Sequence, residues 1–100
     1  MRRKKTRMEK LVTIVSQSPV KEERFEDKNG QPQVMAYREY EILDGVDHFI
    51  GVIKGELARR IADVDLNYQH TVQGAWSFRS GQRQDGTTWS TNEFRITMIS

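Results

Sequence analysis

The chain has 100 residues, no cysteine, two histidines and 36% hydrophobic residues. That is enough for one domain with a modest core, and it excludes a disulfide framework and a thiolate metal site. No apolar run approaches the about 18 residues needed to span a bilayer, and the basic start is not followed by a signal-peptide core, so a cytoplasmic protein with no membrane partner is expected. The formal charge of +2 hides an asymmetry, because five of the 16 basic residues (Arg2, Arg3, Lys4, Lys5, Arg7) lie in residues 1–7, leaving 11 against 14 acidic. The expected layout is a basic arm over 1–7 and a mildly acidic domain over 8–100.

The arm carries no apolar residue after Met1, and its cations suit either contact with phosphates or plain solvation. Met8–Val15 reads as the first strand, with Leu11, Val12, Ile14 and Val15 supplying apolar and β-branched bulk. Ser16–Pro19 bends it, and Val20–Phe25 continues it past the kink. Asn29-Gly30, followed by Pro32, marks the turn into a long second strand over Val34–Leu43. There Ala36, Arg38, Tyr40 and Ile42 share one side, and Met35, Tyr37, Glu39, Glu41 and Leu43 the other. Alternation leaves open which side faces solvent. Asp44-Gly45 is a tight-turn dipeptide, so Val46–Ile53 folds back as the third strand.

Gly55 then separates this strand from a short amphipathic helix of two to three turns. Leu57, Ala58, Ile61 and Val64 share its apolar face, while Arg59, Arg60 and Asp63 point away. The alternation resumes over His70–Phe78, the fourth strand, with Val72, Gly74, Trp76 and Phe78 on one side. The polar stretch Arg79–Thr88 reads as a flexible hairpin arm. Trp89–Ser100 is the fifth strand, with Phe94, Ile96 and Met98 opposite Trp89, Thr91, Glu93 and Arg95.

The order β-β-β-α-β-β predicts an all-β fold, a five-stranded Greek-key barrel of the OB-fold type with one short helix between strands three and four. The run Val52-Ile53-Lys54-Gly55-Glu56-Leu57-Ala58 and the segment Thr71-Val72-Gln73-Gly74 resemble the strand-Gly-x-Leu-Ala-helix step and the fourth strand of the bacterial single-stranded-DNA-binding proteins and the related primosomal replication protein N. The resemblance extends over most of residues 8–100. It implies a non-enzymatic module for single-stranded DNA, with RNA left open, and self-association as a dimer or tetramer. The chain departs from the family where third-strand aromatics are expected, since His48, Ile50, Val52 and Lys54 stand there. It ends at Ser100 without a glycine-rich acidic tail, so recruitment through such a tail is not expected.

Sequence-tolerant binding needs flat rings for bases and cations for phosphates on one exposed face. The residues expected to supply them are Arg38 and Tyr40 on the second strand, His48 and Lys54 on the third, Arg79 and Arg83 on the arm, and Trp89 and Arg95 on the fifth. Tyr37 is the alternative to Tyr40, because the two lie on opposite sides. Phe49, Trp76, Phe78 and Phe94 are assigned to packing. With only His48 and His70 and no cysteine, a zinc site lacks ligands, and Asp63 and Asp65 read as a solvated helix end. No cofactor and no catalytic group are expected. The competing reading is an OB-fold adaptor that contacts protein rather than nucleic acid.

Overall fold

The computed structural model describes residues 8–100. The basic arm expected over 1–7 lies outside the described residues. The elements are β1 (Met8–Gln17), β2 (Lys21–Glu26), β3 (Pro32–Asp44), β4 (Asp47–Lys54), α1 (Glu56–Arg60), β5 (Tyr68–Gln82) and β6 (Thr88–Ile99). They form one sheet in the order β1-β5-β6-β4-β3-β2, and a further β1–β3 pairing closes it into a barrel.

β1 and β2 are two halves of one bent strand. Thr13–Gln17 pair with Leu43–Tyr40, and Lys21–Glu26 pair with Tyr37–Pro32, so both run along β3. At the bend Ser18 donates its backbone N–H to Glu39 O at 2.8 Å, and its hydroxyl accepts the Glu39 N–H at 2.9 Å. Pro19, which has no N–H to give, is accommodated where the ladder is interrupted. The continuation of the first strand past Pro19 is thus observed, with β2 as a separate segment. The opposite seam is short: β4 and β6 run parallel and pair only at Gly51–Phe94 and Val52–Arg95.

The core is Val12, Ile14, Ala36, Tyr40, Ile42, Ile53, Ala58, Val72, Phe94 and Ile96, with Leu57, Ile61 and Val64 packed against it. α1 plugs one end. Gly55 precedes it at φ 78°, a conformation that favours glycine. The helix is shorter than the two to three turns expected and stops at Arg60, because side chains take over the backbone groups that follow. Ile61 O accepts from Arg38, and Gln17 bridges the N–H and C=O of Val64 at 2.9 and 3.0 Å. Ile61 and Val64 still bury their side chains, but from extended backbone rather than a third helical turn.

Two further expectations are corrected. Met98 faces solvent and Ile99 packs against the core, the reverse of strict alternation from Phe94 and Ile96. The β5–β6 register shifts between Gln73 and Gly74, with Thr97 as the extra residue on β6, and such a bulge flips every side chain beyond it. The segment Arg79–Thr88 is mostly strand rather than a loose arm. The β5–β6 ladder runs out to Gln82–Thr88, and only the turn at its tip, closed by Arg83 N–H to Thr87 O at 2.7 Å, is irregular.

Candidate nucleic-acid interface

The buried residues fix which side of each strand faces outward. On β3 the inward set is Ala36, Arg38, Tyr40 and Ile42; on β4 it includes Gly51 and Ile53; on β6 it is Phe94 and Ile96. Period-two alternation then puts Tyr37, Glu39 and Glu41 of β3, His48, Ile50 and Lys54 of β4, Ser77, Arg79 and Gly81 of β5, and Trp89, Thr91, Glu93 and Arg95 of β6 on the outer surface. Tyr37 is the cross-strand partner of Lys54, Arg79 of Thr91, and Gly81 of Trp89.

This placement corrects two of the expected contact residues. Tyr40 is fully buried and Arg38 is 4% exposed, so neither presents a surface to a strand of nucleic acid. Arg38 instead donates to Ser18 O at 2.9 Å, Ile61 O at 3.2 Å and Asp63 Oδ1 at 2.6 Å, tying the β1–β2 bend and the end of α1 to β3. Tyr37, the alternative to Tyr40, holds the outward position on β3. The signal that separates them is the pair Glu39 and Glu41, which marks the Tyr37 side as the one that meets water.

The remaining expected residues lie on or beside the outer surface, but not as one group. Lys54 and Arg95 are brought together through Glu93, whose Oε2 lies 3.2 Å from Lys54 Nζ and 3.9 Å from Arg95 Nη2. Arg79 and Trp89 stand on the same side of the β5–β6 arm. Trp89 is 38% exposed and rests on Gly81, where its indole fills the space a side chain would take. Arg83 sits at the tip and turns back on the hairpin, donating to Thr87 Oγ1 and Thr88 O at 3.3 Å. His48 lies toward the β3–β4 turn, with its Nε2 against Glu41 Oε2.

Carboxylates recur among these cations. Lys21 bonds Glu39 at 2.9 Å, and that hydrogen bond, reinforced by the carboxylate charge, holds its ammonium above the ordinary value of 10.5. Among the described residues no group of three or more His, Cys, Asp or Glu side chains is placed to hold a metal ion. No helix among them is long and apolar enough to cross a membrane.

The other side of the arm also carries rings. Trp76 packs at 5.3 Å from both Phe49 and Phe94, yet it is 45% exposed, and Phe78 is 68% exposed. Phe49 and Phe94 pack as expected, but Phe78 does not, because the arm has left the barrel by that point and no core lies beneath it. Trp76 and Phe49 line a groove of about 290 Å³ together with Met8, Lys10, Asp44 and His48.

No protein-family model matches the chain. No curated protein matches it either. Among solved structures, the crystal structure of the SSB domain of a Synechococcus protein is similar over 99% of this chain and 98% of that one, with a TM-score of 0.55 and 13% identity. The chain has an OB-fold. Its β3, β4 and β6 supply the outer surface of that barrel, and the β5–β6 arm is the OB-fold's last hairpin drawn out beyond it. The mitochondrial single-stranded-DNA-binding protein Rim1 of S. cerevisiae is also similar over 95% of this chain and 92% of that one, at 14% identity, but a TM-score of 0.48 is too low to add to the argument.

Proposed function

We propose that this OB-fold domain binds single-stranded nucleic acid, DNA in the first instance, without catalysis, along its outer surface and the adjoining side of the arm. The observation that carries the reading is the shared orientation of Trp89 and Arg79 on the arm with Lys54 and Arg95 on the barrel. A half-exposed indole flanked by cations has what sequence-tolerant binding requires, a ring on which a base stacks and charges that follow the backbone. Tyr37, beside Lys54, is the proposed second ring. Arg83 and His48 extend the same track toward its two ends. The SSB-domain likeness supports the reading at the level of the fold.

The test is a titration of labelled oligo-dT, oligo-U and a matched duplex at low and moderate salt. Preference for the single strands, with affinity falling as salt rises, is the expected result. Equal binding to the duplex removes the reading. The adaptor reading is favoured by one specific observation, the carboxylates Glu39, Glu41 and Glu93 set among the cations, and the absence of any binding in this titration supports it.

Self-association is proposed along β1, where pairing with β3 begins only at Thr13 while Met8–Val12 pair with β5 alone among the described residues. A solution mass near 11.7 kDa at tens of micromolar speaks against it.

A further inference from the structure

We propose that Glu93 occupies a phosphate position on the outer surface, acting as a built-in competitor that sets how tightly the strand is held. The inference rests on the single-strand reading above and assigns a residue that works against it. A single carboxylate oxygen, Glu93 Oε2, lies 3.2 Å from the Lys54 ammonium and 3.9 Å from the Arg95 guanidinium. An anionic acceptor between an ammonium and a guanidinium is the arrangement a phosphodiester oxygen would adopt there. The three side chains are 23%, 49% and 31% exposed for Lys54, Arg95 and Glu93, so an incoming backbone can reach the same cations.

The arm differs. Arg79 and Arg83 have no carboxylate within ion-pair distance among the described residues; Arg83 donates to the Thr87 hydroxyl and the Thr88 carbonyl, and Arg79 stands across the ladder from Thr91. A strand therefore meets open cations on the arm and neutralised ones on the barrel. To engage Lys54 and Arg95 it must displace Glu93 from both, and the repulsion between Glu93 and the phosphate opposes this. Binding through the arm alone gives a weaker complex with a shallower salt dependence, since fewer phosphates are neutralised.

The experiment compares Glu93→Gln with the wild-type chain in oligo-dT titrations across a salt series, with thermal unfolding measured on the same preparations. Glutamine keeps the shape and an acceptor oxygen but removes the charge. Glu93→Gln is expected to bind about five-fold tighter or more at low salt, with a log–log salt slope steeper by about one. Glu26→Gln is the control, making the same charge change at the far end of the β2–β3 hairpin, where Glu26 pairs with Pro32 on the side opposite Tyr37. An equal gain in Glu26→Gln overturns the proposal, since it reduces the effect to net charge. Unchanged or weaker binding by a folded Glu93→Gln overturns it while leaving the single-strand reading intact. A wild-type chain that binds no oligo-dT removes both. Should Glu93→Gln not fold, Glu93→Asp keeps the charge but withdraws it by one methylene; about two-fold tighter binding is then expected, and wild-type affinity overturns the proposal.

Discussion

The Trp89 indole stands where a side chain on Gly81 would have to be: an ideal Cβ there would lie 2.7 Å from Trp89 Cζ2 and 2.8 Å from Cε2 and Nε1. Gly81 does not have positive φ, so the requirement is for space and not for backbone freedom. Its absent side chain is what lets the ring lie against the arm. Gly81→Ala must therefore push the indole away while leaving the strand allowed. Trp89→Ala is expected to cost about 1–3 kcal/mol of oligo-dT affinity if the ring stacks on a base. Gly81→Ala should change the tryptophan emission and lose part of the same affinity, with little change in melting temperature. A Trp89→Ala protein that melts normally and binds as the wild type does sinks Trp89 as a stacking platform.

Arg38 is a structural residue, and its replacement should be felt in stability. Its guanidinium is the shared partner of Ser18 O, Ile61 O and Asp63, and a truncated side chain leaves two part-buried carbonyls without their donor. Arg38→Met should destabilise by about 2 kcal/mol or more, from the carbonyls left without a donor. Arg38→Lys should recover little, because an ammonium cannot reproduce the planar fork. Asp63 is 78% exposed, so Asp63→Asn should cost under about 1 kcal/mol. Urea unfolding of the three variants decides it. An Arg38→Met protein within about 1 kcal/mol of wild type removes the clamp from the account.

Tyr40 offers a test in the opposite direction. Its ring is fully buried, and its hydroxyl has no hydrogen-bond partner among the described residues. Burial raises the phenol above its ordinary value of 10.0, partly offset by the positive charge of Arg38. Tyr40→Phe removes an unpaired polar group at nearly constant volume, and it should leave stability unchanged or raise it by about 0.5–1.5 kcal/mol. The sign of the pH effect follows. With the folded value raised, the unfolded chain ionises first, so wild-type stability falls as pH rises past 10.0, and the phenylalanine variant should lack that part of the loss. A loss of more than about 1 kcal/mol in Tyr40→Phe at neutral pH shows instead that the hydroxyl is satisfied in solution.

The element order and the OB barrel were legible because they rest on signals local in sequence: the turns at Asn29-Gly30 and Asp44-Gly45, the change of period at Gly55, and the alternation of β3. What was not legible depends on long-range pairing. The helix end is set by Arg38 and Gln17, far away in the chain. The bulge at Thr97, which reverses Met98 and Ile99, is a property of the β5–β6 register. The choice between Tyr37 and Tyr40 turned on which side closes over the core: Glu39 and Glu41 mark the Tyr37 side as the wet one, but the buried Arg38 on the opposite side masks that signal. Phe78 falls with the aromatics that a barrel of this size needs for packing, and nothing local announces that the arm has left the barrel there. The Glu93 bridge joins β4 to β6 across the short parallel seam, beyond the reach of any motif.

The β2–β3 and β5–β6 hairpin turns are each held by one carboxylate, and both should weaken in acid. Asp27 Oδ1 accepts the backbone N–H groups of Asn29 and Gln31 at 2.9 Å, and its other oxygen accepts from Gln33 at 3.2 Å. Asp85 Oδ1 accepts the Thr87 hydroxyl at 2.6 Å and the Thr87 N–H at 3.0 Å. These bonds favour the charged form. The Gln31 N–H leads in holding Asp27 below the ordinary value of 3.8, and the Thr87 hydroxyl in holding Asp85 below it. A depressed folded value means that the stabilisation is complete above 3.8 and is lost as pH falls through the lower, folded value. Carbon-13 NMR titration of the side-chain carboxyls should therefore give both midpoints below 3.8, and the Asn29, Gln31 and Thr87 amide signals should move with them. Asp85→Asn keeps an acceptor without the charge. It should abolish the acid-dependent shift of Thr87 and leave that of Asn29 in place, since the turns lie on separate hairpins. A midpoint at or above 3.8 for either residue, or a Thr87 shift that survives in Asp85→Asn, shows that the carboxylate does not hold that turn.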